Sequence, residues 1–344
     1  MKKVLFATTA LVATAGVASA DIALSGVAEM GINGGSDTTT EFFQDIDITF
    51  TMSGTADNGL SFGAVIDLDE TNNTAGGAFS PDEDGGSSIF ISGELGTLTM
   101  GDTDGALDWA MTEVNIGSPG SIDDSETIHA GYNGNNGLDG HYDGQVLRYD
   151  YSFGDFSVAF SVEHDDDVVA MGGFDSSPFV TNNIGPAQVA AETGNPVIGI
   201  GGRYSGAFAG GTFGIGIGYQ LTTDGDQSPI TETEAAIIGV SASVALDGGF
   251  SAAVNYSELD TDLVNGDATH IGVGASYTFD AITVHANYGT YDRGVALGPD
   301  SDGFGLAAAY DFGGGLSAHA AYGYSDVDGA GDSNTWSLGL SMSF

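Results

Sequence analysis

Carboxylates are the residues of this chain that could do chemistry, and their spacing suggests a field rather than a reaction. Asp45 and Asp47 stand two apart, as do Asp67 and Asp69, and both pairs lie in runs that alternate with Ile46, Ile48, Ile66 and Leu68. A period of two places all four acids on one strand face and the aliphatics on the other. Further along come Asp102, Asp104, Asp108, Glu113, Asp123, Asp124 and Glu126, in a stretch that ends before Arg148. Fixed carboxylates around a narrow aqueous passage concentrate cations and disfavour anions. The same acids placed in open loops would merely be solvated.

The remaining chemistry is sparse. Asp165-Asp166-Asp167 and the set Asp326, Asp328 and Asp332 offer hard oxygen donors that suit Ca²⁺ or Mg²⁺, with diffuse counter-ion screening as the alternative. None has EF-hand spacing. His129, His141, His164, His270, His285 and His319 lack metal-motif spacing, and there is no G-x-S-x-G turn and no P-loop lysine. No catalytic residue, cofactor or enzymatic activity is expected.

The charge balance bounds the partners. Lys2 and Lys3 precede an apolar stretch that closes on Ala18-Ser19-Ala20, the layout of a cleaved signal peptide over residues 1–20. Its removal leaves three arginines against 48 acids, a formal charge of −45. Nucleic acid is excluded, because so few cations cannot neutralise phosphates. Small cations and anionic surfaces bridged by divalent ions are the compatible partners. With 41% hydrophobic and 10% aromatic residues, the acids belong to a folded body rather than to a disordered tail. There is no cysteine to staple it.

The elements that must position these acids are strands. About sixteen alternating segments run over 21–33, 41–54, 59–71, 86–94, 96–104, 144–153, 155–165, 196–206, 210–222, 234–246, 248–259, 267–279, 281–291, 302–312, 314–326 and 333–344. Turns of a few residues interleave with long connections at 72–85, 105–143, 166–195 and 222–233. Aromatics gather at the short-turn ends, as at Tyr151, Phe153, Phe156, Tyr277, Phe279, Tyr310, Phe312 and Phe344. An apolar face, a small polar face and aromatic strand ends predict an all-β fold over 21–344, a single domain: a 16-stranded antiparallel transmembrane β-barrel with short periplasmic turns and long external loops. On this reading the polar face lines water. In "FGIGIGY" the alternate glycines leave one face nearly bare. Residues 105–143 are too long for an ordinary connection, and Trp109, Met111, Val114 and Ile116 give them apolar anchors.

The order of "LSGVAEMGI", "ISGELGTLTMGDTDGALDWAMTEV", "LRYDYSFGDFSVAFSV" and a terminal Phe344 resembles the alphaproteobacterial general porins of the Rhodobacter and Paracoccus type. The resemblance implies a homotrimer of water-filled outer-membrane barrels, each narrowed by the third long loop folded inward. It also implies a role for Phe344 in recognition by the barrel-insertion machinery, and contact with outer-membrane lipid and lipopolysaccharide. Such porins oppose loop acids with a cluster of wall arginines. Here only Arg148 and Arg203 fall on lumen-facing strand positions, so a net negative, cation-preferring constriction is expected. A substrate-selective channel is the second reading, and a secreted calcium-binding β-rich structural or adhesive protein the third.

Overall fold

Side-chain alternation becomes a closed wall in the computed structural model, which describes residues 21–36, 39–69, 84–122, 137–138, 145–164, 196–224 and 233–344, without the side chains of 69, 84, 85, 223, 224 and 233. The strands are β1 (Asp21–Gly35), β2 (Glu41–Thr55), β3 (Ser61–Asp69), β4 (Asp84–Gly93), β5 (Gly96–Gly101), β6 (Val146–Phe153), β7 (Phe156–Glu163) and β8 (Val197–Phe208). They continue as β9 (Gly211–Asp224), β10 (Thr233–Leu246), β11 (Phe250–Thr261), β12 (Ala268–Phe279), β13 (Ile282–Arg293), β14 (Ser301–Gly313), β15 (Leu316–Val327) and β16 (Gly331–Ser343). Each pairs antiparallel with its neighbours in sequence, and β1 pairs with β16 to close the barrel. All sixteen expected segments overlap these strands.

Ile22, Leu24, Met30, Ile89, Ile91, Phe160, Ile198, Ile217, Ile238, Val254, Val273, Leu306 and Leu338 are exposed on the outer face. An apolar exterior would be costly in water and is the condition for residence in lipid. The short turns share one end. At the β6–β7 turn Gly154 takes φ +66°, a left-handed conformation open to glycine at little cost, and lets two residues reverse the chain.

Two departures from the sequence expectation matter for the site. β5 stops at Gly101 instead of running to 104, because Gly101 adopts φ +126° and turns the chain out of the sheet. The interior is also not uniformly wet. Leu107, Met111, Leu138, Val197, Ala235, Ile237, Leu259, Ala268, Tyr291 and Leu297 form one buried apolar cluster on the inner side of β8 to β13. The expectation that every inward face lines water fails there. Alternation tells which way a side chain points, and it cannot tell whether a loop will cover it.

Candidate functional site: a loop held across the barrel lumen

After Gly101 the chain enters the barrel and forms the one-turn helix α1 (Ala106–Ala110). Local sequence gives little reason for this helix, since five residues are too few to stand alone. Packing supplies it. Ala106, Leu107, Trp109 and Ala110 are buried against the wall, and the Ala106 amide donates to Ser161 Oγ on β7 at 2.8 Å. Farther on, the Thr112 amide donates to Ser241 Oγ on β10 at 2.8 Å, and the Gly120 carbonyl meets His319 Nδ1 on β15 at 3.2 Å. The loop therefore follows the inner wall past β7, β10 and β15. A second segment anchors through the Leu138 amide, which donates to Gln220 Oε1 at 2.8 Å.

The wall makes room with glycine. A Cβ built on Gly201 would strike the Ala106 carbonyl oxygen and stand 2.7 Å from Ala110 Cβ; one on Gly218 would stand 2.7 Å from Leu107 Cα. Gly216 lies under the Ala110 carbonyl, Gly239 under Met111, Gly272 and Gly274 under Val114, and Gly31 and Gly339 under Ile122. The bare face seen in the sequence is a track for this loop. Trp109, Met111 and Val114 are buried as expected, while Ile116 is only half-buried. Leu107, Ile122 and Leu138 are further buried anchors that sequence reasoning missed.

The two lumen arginines hold the start of the loop. Arg148 Nη1 donates to the Asp104 carbonyl at 2.6 Å, and its guanidinium lies 3.9 Å from the Asp104 carboxylate and 3.6 Å from that of Asp150. Arg203 Nη1 donates to the Trp109 carbonyl at 3.2 Å and its Cζ sits 3.9 Å above the indole centre. Such a cation–π contact contributes about 0.5–2 kcal/mol. The third arginine, Arg293, is tied to Asp300, Ser301 and Pro299 at the end of β13.

The acids divide by place. Asp45, Asp47 and Asp67 are half-buried on the inward faces of β2 and β3, with Thr49 donating to Asp67 at 3.0 Å. Asp69 is the strand partner of Asp47, and Glu29, which sequence reasoning did not select, is the partner of Asp45 on the same inward face. Of these strands, β1 meets the described loop, with Gly31 lying under Ile122. Asp104, Asp108 and Glu113 belong to the loop. Burial, then the charges of Asp104 and Glu113, push the Asp108 carboxyl up to about 7 against the pull of Arg148. Burial also raises Glu113, partly offset by the hydrogen bond from Asn115 Nδ2 at 2.8 Å. Asp102 is exposed beside Gly86. Asp123, Asp124, Glu126 and Asp165-Asp166-Asp167 lie outside the described residues.

The other acidic set takes a different position from the one expected for a cation site. Asp326 pairs with Asp332 and with Asp302 across adjacent strands, on the face shared with outward Leu306 and Leu338. Asp328 lies beyond the strand end, its amide donating to the Asp300 carbonyl. Among the described residues no group of three or more carboxylates and imidazoles could hold a metal ion. His285 and His319 point inward and are buried. Phe344 is exposed beside the closing strand pair, its amide donating to the Gly26 carbonyl at 2.9 Å.

Known proteins share this architecture. A porin of Rhodobacter capsulatus is 28% identical over 314 residues, covering 86% of this chain and 92% of that protein. A porin structure refined at 1.8 Å superposes with a TM-score of 0.64 at 23% identity, covering 94% of this chain and all of the other. An engineered Rh. blastica porin gives 0.56 at 20% identity over the same 94% and its whole length. The family model described as Gram-negative porin matches residues 7–330. These matches and the apolar exterior overturn the secreted, adhesive reading, and family and fold point to a channel rather than an enzyme. The chain belongs to the Gram-negative porin family and is a multi-pass β-barrel channel of the outer membrane.

Proposed function

We propose that this channel is a homotrimeric general-diffusion pore for small hydrophilic solutes and ions, with a preference for cations. The observation that carries the preference is the use made of the arginines. Arg148 and Arg203 both donate to loop carbonyls, and Arg148 is bracketed by Asp104 and Asp150. On another sector of the wall, Glu29, Asp45, Asp47 and Asp67 lie on inward faces from β1 to β3. A cation crossing there meets carboxylates, and of the two wall arginines Arg148 has its charge already opposed. The test is the reversal potential of the purified protein in a planar bilayer under a KCl gradient. A cation-selective potential that shrinks as salt rises past the point where the Debye length falls below about 8 Å supports the assignment. Anion selectivity would sink it.

The trimer draws support from the exterior. Tyrosine and tryptophan recur from Tyr149 on β6 to Trp336 on β16, whereas β1 to β5 carry neither. Those two residues anchor barrels at lipid headgroups. A stretch of five strands without them, presenting Ile22, Leu24, Ile48, Ile66, Ile89 and Leu98, suits packing against another copy. An SDS-resistant trimer on an unboiled gel is the expected result, and a monomer under all mild detergents would refute it. The remaining surface would meet lipid and lipopolysaccharide, with Ca²⁺ or Mg²⁺ as diffuse counter-ions to the outward acids. The exposure of Phe344 beside the seam supports a role for it as part of the signal read by the insertion machinery.

A further inference from the structure

Beneath the loop, on the side of the short turns, the structure has a second polar feature that the diffusion reading does not use. A cavity of about 390 Å³ is roofed by Ala110, Met111 and Thr112 and lined by Arg203, Asp155 and the serines Ser152, Ser157, Ser205 and Ser243. At roughly 30 Å³ per water this is room for about a dozen waters, or for one amino-acid-sized solute with some of them retained. The lining is built rather than left over. Ser152 and Ser157 hydrogen-bond through their hydroxyls at 2.8 Å, and the Ser205 amide donates to the Asp155 carbonyl at 3.0 Å, fixing the turn that carries the acid.

We propose that this cavity is a binding site for a small zwitterionic solute, whose carboxylate meets Arg203 and whose ammonium meets Asp155. The inference rests on the channel reading above and adds a substrate class to it. Arg203 is already immobilised by the Trp109 ring and carbonyl, so little side-chain entropy remains to be lost when a carboxylate docks on its planar fork. One of its five N–H donors serves Trp109, and among the described residues the others have no hydrogen-bond partner. Asp155 is exposed at the β6–β7 turn and supplies the opposite charge in the same cavity. Serine hydroxyls donate and accept, so they suit either end of the solute.

The surrounding charge decides between solute classes. A simple anion must enter a lumen whose fixed charge is overwhelmingly negative before it can reach Arg203. A simple cation gains from Asp155 but is repelled by the guanidinium beside it. A molecule bearing both charges has no net penalty in the average field and gains both local contacts. Occupancy must still be weak, because a channel ligand has to leave.

The experiment is solute block of single channels in a planar bilayer at pH 7.4, with each variant's own open current in KCl as its baseline. Glycine is the zwitterionic probe, acetate carries only the carboxylate, methylammonium only the ammonium, and glycerol neither. Glycine added on the short-turn side should reduce the current saturably, with half-block at about 1–100 mM, the range of a few charge-assisted contacts. Arg203→Gln should raise the half-blocking concentration at least tenfold, and Asp155→Asn several-fold. Arg203→Lys keeps the charge without the fork and should fall between wild type and Arg203→Gln, a graded series that a merely loosened loop would not produce. Attenuation by glycine that is linear and equal to that by glycerol overturns the proposal, as does equal block by acetate or block unchanged in both charge variants. Absence of any stepwise channel before solute is added would instead overturn the pore reading itself, so the two failures are distinguishable.

Discussion

Filling the glycine track should narrow the channel without unfolding the barrel. Consider Gly201→Ala together with Gly218→Ala. The new Cβ atoms would stand 2.7 Å from Ala110 Cβ and 2.7 Å from Leu107 Cα, and the first would also meet the Ala106 carbonyl oxygen. Ordinary contact begins at 3.4 Å, so the loop must retreat from the wall by at least 0.7 Å at both points. The obstructing atoms belong to the backbone and to an alanine, and no rotamer change can relieve them. Overpacking of this kind costs about 1–3 kcal/mol per site, against a gain of roughly 0.5–1 kcal/mol from replacing glycine in a strand. The net penalty is smaller than the cost of opening a barrel held by sixteen strand pairings, so the loop yields first. Its only free direction is into the lumen. For an opening on the order of the 8 Å Debye length, 0.7 Å removes roughly a tenth of the width. Single-channel conductance should fall by about that fraction or more, with unchanged heat-modifiable gel migration showing an intact barrel. Gly202→Ala is the control, since its Cβ would face outward with nothing nearer than 3.9 Å. A folded double variant with wild-type conductance and noise would refute the claim that the loop rests on those glycines.

Lowering pH through about 7 should weaken cation selectivity, because Asp108 titrates there and is charged only above that value; Asp108→Asn should remove the step in reversal potential. The same raised value means that the docked loop takes up a proton more readily than the undocked one. The contribution of Asp108 to docking is therefore fully present below its ordinary pKa near 4 and is lost as pH rises through about 7. Proteolysis of the loop by a protease active across that range should accordingly become faster with rising pH. Replacing Asp45 and Asp47 by Asn should reduce cation selectivity with little change in conductance, whereas Arg148→Gln should raise it and loosen the loop, read as greater open-channel noise. Deleting Phe344 removes one hydrogen bond to Gly26 and an exposed ring; purified variant should still refold in detergent, while its yield in the outer membrane should drop several-fold.

The strand pattern was legible because it is local. Ile46 and Ile48 against Asp45 and Asp47 declare two faces without reference to any other part of the chain, and the register between β2 and β3 follows from the short turn joining them. The inward direction of the loop was legible from Trp109, Met111 and Val114, which no solvated connection requires. What met those residues was not. Gly201, Gly216 and Gly274 lie about a hundred residues or more from the loop backbone above them, and a lone chain contains no signal that couples such distant positions. Glu29 was passed over because its neighbours Val27 and Gly31 do not mark its face, and only the pairing with Asp45 places it in the lumen. Leu259 and Ile237 sit in a dry inner cluster that alternation alone reads as pore lining, and Leu297 joins it from the connection after β13, where alternation says nothing. The arginines were correctly placed on inward faces, but their bonds to Asp104 and Trp109 carbonyls depend on a loop path that composition cannot specify.

The seam between β1 and β16 has a consequence for how the molecule comes into being. Every other neighbouring pair is contiguous in sequence and can zip up as a growing sheet, whereas Val27 must find Ser343 across nearly the whole described chain. Ring closure is then the slow, concentration-independent event, and until it happens the incomplete sheet has two unsatisfied edges in lipid. A substitution that weakens only this seam should leave early sheet growth at its normal rate while lengthening the lifetime of an open, edge-exposed intermediate.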